Sequence, residues 1–249
     1  MNGLAIHVDG RPQATTKSRR PSDSFALKAG RVARLLLLHP QRAWQVQQLA
    51  REGQISIGLA SRAKRTLIEQ AYAEDRDGLI ALRDPRALLQ SWEARYSAPV
   101  SRMSLYVMQD VAEAEWAAAQ WCKLQGVEYA LADFSGAWRV APMVRYKQAC
   151  IYVHASAHRD VVADLGQALG AKPAETGSNF VIGVTEDEAV FWAAQAVDGV
   201  RVLSPLQLYL DLRSQPGRGQ EAAGEILRRA LEPAFAQFGS TGTPESTRK

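Results

Sequence analysis

The twelve residues from Ser56 to Leu67, read SIGLASRAKRTL, constrain this chain more than any other stretch. Leu59, Ala60, Ala63 and Leu67 recur three or four apart and share one helical face, while Gly58, Ser61, Arg62 and Arg65 point elsewhere. A helix with small and basic residues outward suits the DNA major groove, because bulk would hold its backbone away and a guanidinium bonds a guanine edge bidentately. An amphipathic helix with a solvated basic face has the same pattern, so the neighbouring segments decide.

Upstream, residues 25–38 place apolar side chains at helical spacing with Lys28, Arg31 and Arg34 between them, and His39-Pro40 ends the run. Residues 43–51 predict a short second helix with Trp44 or Val46 and Leu49 facing inward, and Glu52-Gly53-Gln54 reads as a turn. Ser56 suits the N-cap of the third helix. Glu74 to Gly78 is turn chemistry, and Leu79 to Leu82 is a short apolar strand. Three helices and a β-hairpin make a winged helix-turn-helix. A further helix from Pro85 to about Tyr96 would pack Trp92 and Tyr96 against the body or the next domain.

Charge follows the same division. Residues 1–98 hold 16 Lys and Arg against 9 Asp and Glu, whereas residues 99–249 hold 14 against 17. Phosphate contacts dominate nucleic-acid affinity, so the basic part is the one expected to touch DNA. Residues 1–24 read as a flexible basic arm, in which Lys17, Arg19 and Arg20 are candidates for the minor groove.

Ser97 to Ser101 interrupts two periodic segments and predicts a joint between residues 25–98 and 99–238. Past it, a strand near 104–108, a helix over 110–124 and strands at 148–153, 179–185 and 199–203 alternate with helices over 158–169, 205–213 and 219–237. That is a C-terminal α/β domain, giving a mixed α+β chain, and residues 239–249 form a polar, disordered tail. No apolar run approaches a membrane span, and no secretory signal is read at the start, so a cytoplasmic protein is expected. Cys122 and Cys150 lack metal-ligand spacing and read as packed thiols, and His154 and His158 lack a third ligand. No metal and no cofactor are expected.

Gly177-Ser178 followed by Glu186-Asp187-Glu188 is faintly similar to a nucleotidyltransferase site. Acids that bind two metals must lie on one side of a strand with an apolar residue between them, and Asp187 occupies that place. An acidic turn before Ala189 is the better reading. Asp133 to Gly136 also reads as a turn, and no phosphate loop, nucleophile elbow or dinucleotide fingerprint is present. No catalytic residue is assigned.

Val202 to Glu221, read VLSPLQLYLDLRSQPGRGQE, together with ISIGLASRAKRTLI and LRDPRALLQSWEARY, resembles the AbiEi-type antitoxins of type IV toxin–antitoxin systems. The resemblance implies a repressor-antitoxin whose winged helix binds double-stranded operator DNA and whose C-terminal domain is needed to neutralise a nucleotidyltransferase-like toxin. It carries DNA reading onto the helix holding Ser56, Gly58, Ser61, Arg62 and Arg65, with Arg76 in the wing. Inverted DNA repeats would imply two copies per site. This sequence departs from the family where Gln54 stands in place of a common glycine, which predicts a turn shifted by one residue. Within the SPLQLYLDL block, Pro205 suits a first turn and Leu206, Tyr209, Leu210 and Leu212 a buried stripe, while Gln207 and Asp211 predict a solvated polar face with an internal bond. The alternatives are a nucleic-acid-modifying enzyme with a winged helix that delivers substrate, and a lone DNA-binding regulator.

Overall fold

The computed structural model describes residues 27–142, 146–155 and 160–240. The predicted arm with Lys17, Arg19 and Arg20, the end of the predicted tail, and His158 lie outside the described residues. The chain is a mixture of helix and sheet, of α+β type.

It begins with α1 (Leu27–Leu38), α2 (Val46–Glu52), α3 (Ile57–Glu69) and an antiparallel hairpin of β1 (Ala73–Arg76) and β2 (Leu79–Leu82). Val32, Ala33, Leu36, Leu49, Ala60, Ala63 and Leu67 are buried together, so the apolar stripes of the three helices meet. Trp44 differs from expectation. It stands outside α2 and exchanges two backbone hydrogen bonds of 2.8 Å with Ile80, adding a third short segment beside the hairpin. Its indole is fully buried there, and the Arg42 guanidinium stacks over the ring at 3.6 Å.

α4 (Pro85–Glu93) starts with Pro85 behind Asp84, whose carboxylate accepts from Ala87 N at 2.9 Å. The segment from Ser97 to Val100 has no regular structure and leads to β3 (Ser101–Tyr106). The remainder comprises α5 (Val111–Leu124), β4 (Tyr129–Leu131), α6 (Asp133–Val140), β5 (Ala149–His154), α7 (Val161–Ala168), β6 (Lys172–Pro173), β7 (Phe180–Thr185), β8 (Gln195–Val197), β9 (Val200–Val202), α8 (Pro205–Arg213), α9 (Arg218–Ile226) and α10 (Glu232–Ser240). A 3-10 turn spans Glu188–Phe191, and a π-helical turn, Leu227–Leu231, joins α9 to α10.

Seven strands form one mixed sheet in the order β6-β3-β7-β5-β4-β9-β8. β5 and β7 run parallel at its centre with Ile151 opposite Ile182, and both are fully buried. By strand alternation Cys150 and Tyr152 face opposite to Ile151 and Val153. The two cysteines are buried free thiols. Asp133 corrects the sequence reading, since it opens α6 rather than an isolated turn. It holds a left-handed φ of 46° and is 7% exposed. The carboxylate is retained there because Arg102 clamps it with bonds of 2.6 and 3.1 Å, and Gln215 donates to it at 3.2 Å. Gly183 leaves room for that clamp: a Cβ there would meet the Tyr152 ring at 2.5 Å, and the Tyr152 hydroxyl accepts from Arg102 at 2.6 Å.

Candidate nucleic-acid interface

α3 is held by its buried side and open on the other. Its N-cap is Ser56, whose hydroxyl oxygen accepts from Leu59 N at 3.2 Å. One turn apart along the open side stand Gly58, Arg62 and Arg65, all exposed, with Ser61 half-buried beside them. Neither the Arg62 nor the Arg65 guanidinium has an ion-pair or hydrogen-bond partner among the described residues, the Thr66 hydroxyl donating to the Arg62 carbonyl only. No atom lies within 4 Å of a Cβ built on Gly58.

The hairpin flanks this stripe. Asp77 and Gly78 make the two-residue turn with φ values of 53° and 85°, the left-handed pair that a hairpin of this twist requires. Asp75 accepts from Gly78 N at 2.7 Å, and Lys64 reaches across from α3 to the Asp75 carboxylate at 2.6 Å and to Gly78 O at 2.9 Å. The Lys64 bond holds the Asp75 carboxyl below its usual range. Thus the turn is locked to the helix by the one basic residue of α3 that points sideways. Arg76 lies exposed on β1, where Glu74 engages its Nε at 2.5 Å.

The turn before α3 is built on Gln54 and not on Gly53. Gln54 itself takes the left-handed conformation, with φ at 51°, whereas Gly53 has φ at −77° and is packed so that a Cβ would meet Leu49 O at 2.6 Å. Arg31 on α1 holds this turn by donating to Gly53 O at 3.2 Å and Gln54 Oε1 at 3.3 Å. The same guanidinium donates to Asp187 at 2.7 Å. Asp187 is therefore an acidic turn residue, capping Ala189 N at 3.1 Å and tying the end of β7 to α1.

Behind the interface lies a polar seam that sequence reasoning missed. Gln207 and Asp211 are not a solvated face, being 0% and 1% exposed. Their internal bond is present at 2.9 Å, but both are covered by Tyr96, whose hydroxyl donates to Asp211 at 2.5 Å and accepts from Gln207 at 2.6 Å. Burial first, and the neighbouring Asp133 charge second, push the Asp211 carboxyl up to about 6, against the Tyr96 and Gln207 bonds. Glu93 adds two bonds across the same seam, accepting from Tyr209 and from Arg213 at 2.5 Å each. The i, i+4 spacing of Gln207 and Asp211 was visible, but their partner 111 and 115 residues away was not.

Ile57 was also missed: at the first position of α3 it is 58% exposed, beside Gly58. An apolar residue at a helix start, next to the small and basic stripe, was the available signal. Among the described residues, no group of three or more His, Cys, Asp or Glu is arranged to hold a metal ion, and no helix is long and apolar enough to cross a membrane.

A family model described as "Transcriptional regulator, AbiEi antitoxin, Type IV TA system" matches residues 81–232. No curated protein and no solved structure matches the chain. The matched span starts after α3 and takes in α4, the seven-stranded sheet, the seam residues Tyr96, Gln207 and Asp211, and the carboxylates of Asp133 and Asp187. It covers more than half of the sequence, and the chain therefore belongs to the AbiEi antitoxin family of type IV toxin–antitoxin transcriptional regulators.

Proposed function

We propose that this chain is a sequence-specific DNA-binding repressor that acts as the antitoxin of a type IV toxin–antitoxin system. In this reading α1 to α3 and the hairpin are a winged helix-turn-helix within residues 25–98, and residues 99–238 are the antitoxin part. The observation that carries it is the open stripe of Gly58, Arg62 and Arg65 on α3, flanked by a hairpin turn that Lys64 holds in place. Free arginines beside a glycine let a helix backbone approach a duplex and pair guanine O6 and N7 bidentately. Ile57 would meet a thymine methyl group. Ser56, Ser61 and Arg76 are assigned to phosphate, and Lys17, Arg19 and Arg20 to an arm along the minor groove. Two copies on an inverted repeat would repress the chain's own operon, and the partner to be neutralised is a nucleotidyltransferase-like toxin.

A mobility-shift titration with the chain's own upstream DNA tests the assignment. Arg62→Ala and Arg65→Ala should each weaken specific binding by roughly tenfold or more, with relaxed preference at one base pair. Unchanged affinity in both variants would overturn the recognition-helix reading. The alternative of a nucleic-acid-modifying enzyme finds no favour in the acidic turn, since the Asp187 carboxylate is committed to Arg31 and to the cap of the following turn.

A further inference from the structure

Between α1, α4 with the segment after it, and the turn that follows β7 lies a partly open inner pocket of about 50 Å³, lined by Arg31, Arg34, Trp92, Arg95, Tyr96 and Asp187 among others. It adjoins an open cleft of about 650 Å³, with which it shares Arg31, Pro99 and Asp187, and which adds Lys28, Ser101, Thr185 and one further acid, Glu186. Arg34 is the unusual member. It is 4% exposed and stacks on Trp92 at 5.2 Å, yet it forms no ion pair among the described residues and its Nη1 has no hydrogen-bond partner. The buried Nε of Arg31 is equally unpartnered.

A guanidinium out of water needs acceptors and a counter-charge, and its burial is costly without them. Among the described residues lining the inner pocket, Asp187, already bonded to Arg31, is the one carboxylate, and Asp187 and Asp211 act on the Arg34 charge without an ion pair to it. Arginine forks match tetrahedral oxyanions with paired donors. By the same volume measure a water needs roughly 10–15 Å³, so the cavity has room for one small oxyanion rather than for a larger body. The neighbouring cleft has room for whatever such a group is attached to.

We propose that the inner cavity binds a phosphate group through Arg34 and Arg31, either as the free ion or on a small molecule whose remainder lies in the outer cleft. This site is independent of the DNA-binding assignment, since none of the α3 residues lines it.

Thermal unfolding of the full chain tests it, with inorganic phosphate and adenosine monophosphate compared against chloride at equal ionic strength. Either probe should raise the melting temperature by about 3 °C once it stands roughly tenfold above its dissociation constant. A higher potency of adenosine monophosphate assigns a phosphorylated compound, and equal potency assigns free phosphate. Arg34→Met, folded by circular dichroism, should lose the shift. No shift with either probe, or a full shift retained in Arg34→Met, overturns the proposal. Should Arg34→Met not fold, amide exchange of the unaltered chain decides: phosphate must protect residues 30–34, 92–99 and 187–189, and protection confined to other segments overturns the site.

Discussion

Arginine has two fates in this molecule. On α3, Arg62 and Arg65 are exposed and unpaired, whereas Arg31 and Arg102 are clamped by Asp187 and Asp133 at 2.7 and 2.6 Å. The side chain is the same, and the surroundings decide its use. In water a guanidinium costs nothing to leave unpaired and can exchange hydration for a phosphate or a base edge. Bonded to a carboxylate it holds that group in one geometry, and where the pair is withdrawn from water, as at Arg31, removing either partner strands the other charge. The arginines of α3 are thus available for binding, whereas Arg31 and Arg102 join parts of the fold through their carboxylates, and the Nε of Arg31 is left for a further acceptor.

Five substitutions test that contrast, beginning with the clamp on Asp133. Asp133→Ala removes the acceptor of Arg102 and Gln215; Arg102 is exposed and can take up water instead, so the cost should be about 2 kcal/mol in denaturant unfolding. A loss below about 0.5 kcal/mol would place Arg102 with the surface charges.

Asp211 comes next. Its carboxyl titrates at about 6 in the folded chain and near 4 when unfolded, so the folded state holds the proton more tightly. The Asp211 contribution to stability should therefore be largest below about pH 4, fall between about pH 4 and 6, and level off above, a difference of about 3 kcal/mol at most. Asp211→Asn keeps the acceptor for Tyr96 and removes the titration. Its melting temperature should be flat over that range, and a slope equal to that of the unaltered chain would assign the pH dependence to other groups.

Arg62→Ala and Arg65→Ala should have the opposite signature, with stability changed by less than about 0.5 kcal/mol and specific DNA binding weakened by about 1–3 kcal/mol. Calorimetric unfolding measured beside the mobility shift separates these effects. Destabilisation as large as that of Asp133→Ala would erase the contrast between the two sets of arginines.

The smallest effect is expected at Gln54, whose left-handed backbone disfavours a side chain. Gln54→Gly should stabilise by about 0.5 kcal/mol, the relief of strain being partly offset by the greater freedom of glycine when unfolded. Destabilisation in the same unfolding measurement would mean that the Arg31 contact with Gln54 Oε1 outweighs the strain.

Legibility in the sequence follows the range of the forces. α3 and α8 were readable almost to the residue, because Ser56 and Ser204-Pro205 mark their starts and apolar spacing marks their buried faces. Strands β6 and β8 have two and three residues, too few for alternation to show. Trp44 looked helical because its neighbours are, but a backbone pairing with Ile80 fixes it outside α2. The polar seam failed for a different reason. Gln207 and Asp211 have the local pattern of a wet helix face, and what keeps water from them is Tyr96 and the packing around it. The acidic turn at Asp187 was read correctly, while its partner Arg31 was indistinguishable from the other basic residues of α1.

Arg31 reaches the turn before α3 with one nitrogen and Asp187 with the other, so it bridges the family-matched span and the helices that precede it. If α3 reads DNA as proposed, that has a consequence for exchanging specificity between relatives. A graft of α3 alone keeps the bridge, whereas a graft of the whole N-terminal segment must bring an arginine at this position, or the transplanted reading head will sit loosely on its new body.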